Sequence, residues 1–150
     1  MKHMETKIIS KVLLSLAAVV FVLGSTITQV RGEEDKFPVI TIHSTGDVTR
    51  GKTGSFVLNM NPVMFGGAYV NFSVGGTAIQ GVDYVNLVEP AHIGQSGYGT
   101  IMVQTLPNPR AGANLQVYSV VVTLEPGPGY QVGEPKSAQM MIRPSPSLGH

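Results

Sequence analysis

From residue 39 onward, the sequence consists of short runs rich in Val, Ile, Phe, Tyr and Thr, separated by Gly, Pro and Asn. This pattern is typical of antiparallel β-strands, and no segment has the length and period of an amphipathic helix. Seven short strands in a chain of this size favour an all-β sandwich. The predicted strands are 39–44, 54–60, 68–74, 84–88, 100–105, 117–124 and 138–142.

Alternation within these runs predicts which side chains face the core, because successive residues of a strand point to opposite faces of a sheet. Phe56, Leu58 and Met60 share one face of the second predicted strand. The run 120–122 is Val-Val-Val and is therefore apolar on both faces. Such a strand is typical of the middle of a sheet whose two sides are covered, so we expect this run in the centre of the core.

The N-terminus has the pattern of an export signal. Three lysines precede an apolar run, 12–23, of the length expected for a signal-peptide core. We therefore expect a signal peptide over 1–32, and a protein that is secreted or held in the cell envelope. The alternative is an uncleaved membrane anchor, because 12–30 is uncharged over about the length that a spanning helix needs.

The remaining segments complete the predicted domain organisation. Residues 33–38 begin with three acids and a lysine and are expected to form a short tether. One domain follows over 39–143, and 144–150, with two prolines, is expected to be a disordered tail. The chain has no cysteine, which excludes a lipid-anchored lipoprotein and a disulfide framework.

The charge balance depends on the leader. Residues 33–150 contain six Lys and Arg against eight Asp and Glu, so the basic pI of the whole chain comes from its N-terminus. A slightly acidic domain without a basic patch is not expected to bind nucleic acid. Contact with a membrane is expected only if the leader is retained.

Two separated motifs resemble the Calx-beta family. Residues 70–74 run into GGTAIQGVDY, residues 75–84, which is similar to the family's strand followed by a GTA-x-x-G-x-DY turn. Residues 122–142 are similar to the last hairpin of bacterial Calx-beta domains. The resemblance covers about 39–143 and implies a seven-stranded immunoglobulin-like Greek-key sandwich, of the kind found in exported bacterial adhesins and matrix-like proteins.

The resemblance also implies where calcium would bind. Calcium-binding members hold the ion at one end of the sandwich among carboxylates from several loops, and calcium needs about six to eight oxygen ligands. In this sequence Arg50 replaces the acid before the second strand, Gly75 replaces the acid before GTA, and the loop 106–117 contains Arg110 but no carboxylate. Only Asp83 stands at a matching position. High-affinity calcium binding is therefore not expected, no other cofactor is indicated, and Asp83 is the one candidate metal ligand.

The sequence leaves three roles open for Asp83. As a turn residue, its carboxylate would accept hydrogen bonds from nearby backbone amides. It could instead pair with Arg50 or Arg110 in an internal salt bridge. In a calcium-responsive domain it would form a weak site with help from Asp47, Glu89 or backbone carbonyls.

Catalysis has little support in the sequence. The histidines outside the leader lie in a strand, a loop and the tail, without the paired spacing of a metal site, and we therefore do not expect an enzyme. They are His43, His92 and His150.

The strands and loops favour a structural or protein-interaction module, adhesion-like or matrix-like, that binds another protein or a second copy of itself through a sheet edge. The alternative is a calcium-responsive domain with a weak site around Asp83. The candidate contact residues are four tyrosines: Tyr69, Tyr98, Tyr118 and Tyr130.

Overall fold

The described residues, 37–107 and 115–146 of a computed structural model, fold into ten β-strands in two sheets. In chain order the strands are β1 (Val39–Ser44), β2 (Val48–Thr49), β3 (Thr53–Asn61), β4 (Ala68–Val70), β5 (Phe72–Gly75), β6 (Ala91–Ile93), β7 (Tyr98–Gln104), β8 (Tyr118–Leu124), β9 (Gln131–Val132) and β10 (Ser137–Arg143). The first sheet has the order β4-β6-β7-β3-β1-β9, and the second has the order β2-β10-β8-β5. The prediction of an all-β, sandwich-like fold is confirmed.

Several predictions concern residues outside these ranges. They are the signal peptide over 1–32, the charged part of the tether, Arg110 and the end of the tail after residue 146. The described residues all belong to one compact unit. None of them forms a helix with the length and hydrophobicity that crossing a membrane requires.

The core lies between the two sheets and has the predicted alternation. Phe56, Leu58 and Met60 of β3 are buried, and so are Val120 and Val122 of β8. β8 lies inside the second sheet between β10 and β5, as its apolar sequence predicted, but Val121 on its outer face is only half-buried, so the expected cover of that face is partial. Each large apolar side chain that is fully buried contributes about 1.5–3 kcal/mol, so this shared core stabilises the pairing of the sheets.

The predicted strand 68–74 is two strands in different sheets. β4 pairs with β6 in the first sheet, and β5 pairs with β8 in the second. Asn71 separates them because its backbone bonds elsewhere: its N–H donates to the Tyr130 hydroxyl at 3.0 Å, and its C=O accepts from the Glu125 amide at 2.9 Å. Val70 and Phe72 on either side are both buried, so the apolar alternation continues across the break and does not reveal it.

The predicted strand 84–88 is wrong. In this segment only Tyr84 makes β-bridges, one parallel to Gln80 and one antiparallel to Thr105. The amide of Leu87 donates to the side-chain oxygen of Gln80 at 2.9 Å. The amide of Val85 still donates to the carbonyl of Gln104 at 2.9 Å, but no ladder continues beyond it, and the next strand to join the first sheet is β6.

The described residues form ten strands where seven were predicted. β2, β6 and β9 are two or three residues long, which is shorter than the runs from which strands are predicted. The pairs β1–β9 and β2–β10 are parallel, while the other strand pairs are antiparallel. The predicted count of seven strands is therefore not confirmed.

The register between β3 and β7 defines two ends of the sandwich, which we call the Tyr98 end and the Gln104 end. β1 begins at the Tyr98 end, because Val39 pairs with Asn61, the last residue of β3. β10 finishes at the Gln104 end, because its last residue pairs with the last residue of β2, just before β3 begins. The segment 75–84 also lies at the Gln104 end, where Tyr84 bridges to the residue that follows β7.

Candidate functional site

The first half of the segment 75–84 is fastened to β8. Thr77 and Ser119 exchange two hydrogen bonds, in which each amide donates to the other residue's hydroxyl, at 2.9 and 2.8 Å. The amide of Ala78 also donates to the carbonyl of Ser119, at 2.9 Å. This close approach requires glycine at position 76, because Gly76 has a φ of +104° and a Cβ there would collide with the carbonyl oxygen of Ser119.

Asp83 closes the turn that follows. The amides of Val82 and Asp83 donate to the carbonyl of Ile79, at 3.1 and 2.8 Å. The carboxylate accepts in return, since its Oδ2 lies 2.7 Å from the amide nitrogen of Ile79. Asp83 therefore has the role of a turn residue that accepts a nearby backbone amide.

Arg50 is a second partner of the same carboxylate. The Arg50 amide donates to the carbonyl of Arg143 at 2.9 Å, so the pairing of β2 with β10 fixes its backbone. Its Nη2 lies 2.8 Å from Oδ1 of Asp83, and its Nη1 donates to the carbonyl of Leu106 at 3.2 Å. The predicted alternative of an internal salt bridge is thus confirmed, with Arg50 as the partner.

This ion pair is fully buried, because both side chains are 0% exposed. The Arg50 guanidinium carbon lies 5.2 Å from the centre of the Tyr118 ring, within the range of a cation–π interaction. Moving two charges out of water costs several kcal/mol per ion, and mutual attraction offsets this cost only with good geometry and further hydrogen bonds. The Ile79 amide and the Leu106 carbonyl supply such bonds here.

Tyr84, the next residue, belongs to the core. Its side chain is fully buried. Burial raises the pKa of the Tyr84 phenol, and the negative charge of Asp83 raises it further. The phenol therefore stays neutral at physiological pH and packs as an uncharged ring.

Further hydrogen bonds join the segment 75–84, which we call the corner, to the ends of β2 and β7. The carbonyl of Asp83 accepts from the amide of Leu106 at 2.9 Å. The buried hydroxyl of Thr105 donates to the carbonyl of Lys52 and, at 3.3 Å, to that of Thr49. The corner thus connects segments that are far apart in sequence and holds the Gln104 end together.

The acids predicted to help Asp83 bind calcium have other surroundings. Asp47 pairs with Arg143, and Glu89 is exposed before β6. Across 37–107 and 115–146, no group of three or more His, Asp or Glu side chains is arranged to hold a metal ion. A metal site at Asp83 stays a prediction, and it would compete with Arg50 for the carboxylate.

Asp47 and Arg143 form a surface ion pair beside β2 and β10. Oδ2 of Asp47 accepts hydrogen bonds from Nε and Nη2 of Arg143, at 2.9 and 2.6 Å, and Oδ1 accepts from the amide of Met141 at 3.1 Å. The hydrogen bonds from Arg143 and then from Met141 lower the pKa of Asp47 below its usual value of 3.8.

Asp47→Asn is expected to destabilise the protein at neutral pH but not in acid. A carboxylate with a lowered pKa in the folded state contributes stability above its unfolded-state pKa, and this contribution is lost as the pH falls through the folded-state value. The difference in free energy of unfolding between wild type and Asp47→Asn should be constant near neutral pH and shrink towards zero below about pH 3.8. Urea denaturation over a pH series measures it, with the exposed acid variant Glu89→Gln as control. A difference that persists unchanged in strong acid would contradict the prediction.

The four tyrosines predicted as contact residues differ in exposure. Tyr69 and Tyr98 are 67% and 58% exposed. Tyr118 is half-buried beside Arg50. The prediction is wrong for Tyr130, which is buried. Its hydroxyl donates to the backbone carbonyl of Glu125 at 2.6 Å. Tyr69 and Tyr98 are therefore the two tyrosines best placed to contact a partner.

Sequence reasoning missed two exposed features. His92 of β6 lies against Tyr69 of β4, with the ring centres 4.9 Å apart. Phe65, in the loop between β3 and β4, is 96% exposed. A signal for Phe65 was present in the sequence, because it precedes Gly66-Gly67, a dipeptide that marks a turn and leaves the aromatic ring without a strand to join.

No protein-family model matches the chain, and a search of curated proteins finds no match. The resemblance to Calx-beta domains stays a prediction. What the Gln104 end can bind therefore follows from its own contacts.

Proposed function

We propose that this chain is an exported Calx-beta-like domain with an immunoglobulin-like Greek-key arrangement. It serves as a structural or protein-interaction module, adhesion-like or matrix-like, and it is not an enzyme. It has no high-affinity calcium site, and its partner is another protein or a second copy of the chain.

The Arg50–Asp83 pair supports the absence of tight calcium binding. Calcium needs about six to eight oxygen ligands, several of them usually charged. The Asp83 carboxylate is fully buried, and its two oxygens already accept from Arg50 and from the Ile79 amide. A calcium ion would have to displace a guanidinium and leave it buried without its counter-ion. The corner is better suited to holding loops together than to exchanging a ligand.

One observation carries the interaction role: among the described residues, the consecutive strands β4 and β5 are each the outer strand of a different sheet, and we call these two adjoining edges the β4–β5 edge. β4 pairs only with β6, and β5 pairs only with β8, whereas the other outer strands, β2 and β9, have two residues each. An open edge can accept a strand from another chain through main-chain hydrogen bonds. Tyr69 is exposed on this edge and offers an aromatic anchor.

Tyr69→Lys is expected to abolish binding at this edge without unfolding the protein. A lysine on an edge strand opposes strand addition, and loss of an aromatic anchor typically costs about 2 kcal/mol or more of binding free energy. The full-length chain is compared with the variant by sedimentation equilibrium for self-association, and by capture of envelope or culture-fluid proteins from its own source. The matched control is Met102→Lys, which changes a 59% exposed residue inside the same sheet.

Three outcomes would decide against the proposal. Wild type that neither self-associates nor retains a partner, or equal loss of binding in both lysine variants, would exclude the β4–β5 edge. A melting temperature that rises with millimolar calcium would favour the calcium-responsive alternative instead, because a ligand that binds only the folded state must raise its stability.

A further inference from the structure

The Tyr98 end of the sandwich exposes a group of apolar side chains. They come from the start of β1, from the loop between β3 and β4, and from the start of β7, and they are between 37% and 96% exposed. We call this surface the apolar end, and its residues are Phe37, Val39, Val63, Met64, Phe65 and Tyr98.

The loop between β3 and β4 has a packed base and a projecting tip. Val63 at its base packs against Gly97 so closely that a Cβ at Gly97 would collide with the valine methyl group. The amide of Gly67 donates to the carbonyl of Met64 at 3.1 Å and closes a turn around Phe65. The Phe65 ring therefore stands at the tip of a held loop, almost entirely in water.

The segments that form the apolar end carry no charge. Residues 37–41, 59–69 and 94–99 contain no Asp, Glu, Lys or Arg. Large apolar side chains exposed together at one end of a domain can mark a site of contact with a protein or a membrane. A projecting apolar tip without charged neighbours is suited to a deformable apolar phase, because such a phase needs no preformed pocket to receive the ring.

The path of the chain favours a lipid surface over a protein. The chain enters the described fold at Phe37, within the apolar end. The uncharged apolar stretch 12–30 precedes it, and only 31–36 lies between them, a segment that spans at most about 20 Å. An anchor over 12–30 would therefore hold the apolar end, and not the Gln104 end, close to the bilayer.

We propose that, in the chain that keeps 12–30 as an anchor, the apolar end rests on a lipid bilayer, with Phe65 inserted into the boundary between headgroups and acyl chains and with Val63 and Met64 beside it. Apolar segments that bind to membrane surfaces bury their apolar side in this boundary. The proposal goes beyond a protein-interaction role, because the six residues of the apolar end belong neither to β4 and β5 nor to the Gln104 end.

The absence of tryptophan from the chain provides a direct test. Phe65→Trp and Val88→Trp each place a single indole at an exposed position, 96% and 83% in the wild type, and neither disturbs the core. The full-length variants are mixed with zwitterionic phosphatidylcholine vesicles whose acyl chains carry bromine, which quenches indole fluorescence on contact. We expect a blue shift and strong quenching for Phe65→Trp, and neither for Val88→Trp, which lies outside the apolar end.

Several results would overturn the proposal. Phe65→Trp fluorescence that is unchanged by vesicles, or equal quenching of both variants, would show that lipid contact does not involve this end. A blue shift of Phe65→Trp that occurs without vesicles and grows with protein concentration would instead assign the apolar end to contact between two copies of the chain. Quenching reports whether residue 65 itself contacts lipid. Binding of the leader alone to the vesicles would leave residue 65 in water and would not give the expected result.

Discussion

Asp83→Asn is expected to lower the free energy of unfolding by about 3–5 kcal/mol, because removing one partner of a buried ion pair leaves the other as an uncompensated charge. Arg50 is 0% exposed, and a neutral amide cannot balance its charge. For a domain of this size the melting temperature should fall by roughly 10–20 °C. Thermal and urea denaturation followed by circular dichroism measure both quantities. The loss should be the same in millimolar calcium and in chelator, and a loss seen only in calcium would favour a metal site.

A double variant separates the ion pair from general damage to the corner. Replacing a buried pair by apolar groups of similar volume is often neutral or stabilising. Asp83→Asn combined with Arg50→Met should therefore be more stable than Asp83→Asn alone, because the buried positive charge that Asp83 balances is removed together with it. Simple addition of two large losses would contradict direct coupling between these side chains.

Gly76→Ala is expected to destabilise the protein by at least about 2 kcal/mol, because two costs combine. An alanine at positive φ is strained by about 1–2 kcal/mol, and its Cβ would collide with the carbonyl oxygen of Ser119, which is backbone and cannot move aside alone. Urea denaturation measures the loss.

Gly75→Ala is the matched control, since a Cβ at position 75 would meet no atom within 4 Å. That change should be neutral, or stabilising by up to about 1 kcal/mol through the unfolded state. Equal losses in the two variants would mean that alanine destabilises both positions for a reason other than a collision with Ser119.

The sequence was sufficient to predict the core strands but not the way the sheets are divided. Phe56, Leu58 and Met60 alternate with polar neighbours, and burial on one face enforces that pattern. The change of sheet at Asn71 depends on the hydrogen bond that its carbonyl accepts from Glu125 and on the one that its amide donates to Tyr130, and both partners are distant in sequence. The two-residue strands β2 and β9 arise because β10 and β1 lie beside them, so no local pattern could predict them.

The candidate site was predictable to a similar extent. An arginine at position 50, where the resemblance implies an acid, indicated a salt bridge to Asp83. The position of Arg50 beside the turn depends on the pairing of β2 with β10, which is a property of the topology, and Arg110 lies outside the described residues. The burial of Tyr130 was not predictable, because it follows from a Gly- and Pro-rich loop that folds back to receive its hydroxyl.

The placement of the first and last strands at opposite ends has a mechanical consequence. β1 begins at the Tyr98 end and β10 finishes at the Gln104 end, so tension applied through the flanking chain would act along the strands. β10 is held along its length by β8 and beside its last residues by β2. Such a load shears many ladder hydrogen bonds at once instead of opening them one after another, and resistance to it is governed by the rate of unfolding. This geometry is suited to resisting force that is applied through the two ends of the domain.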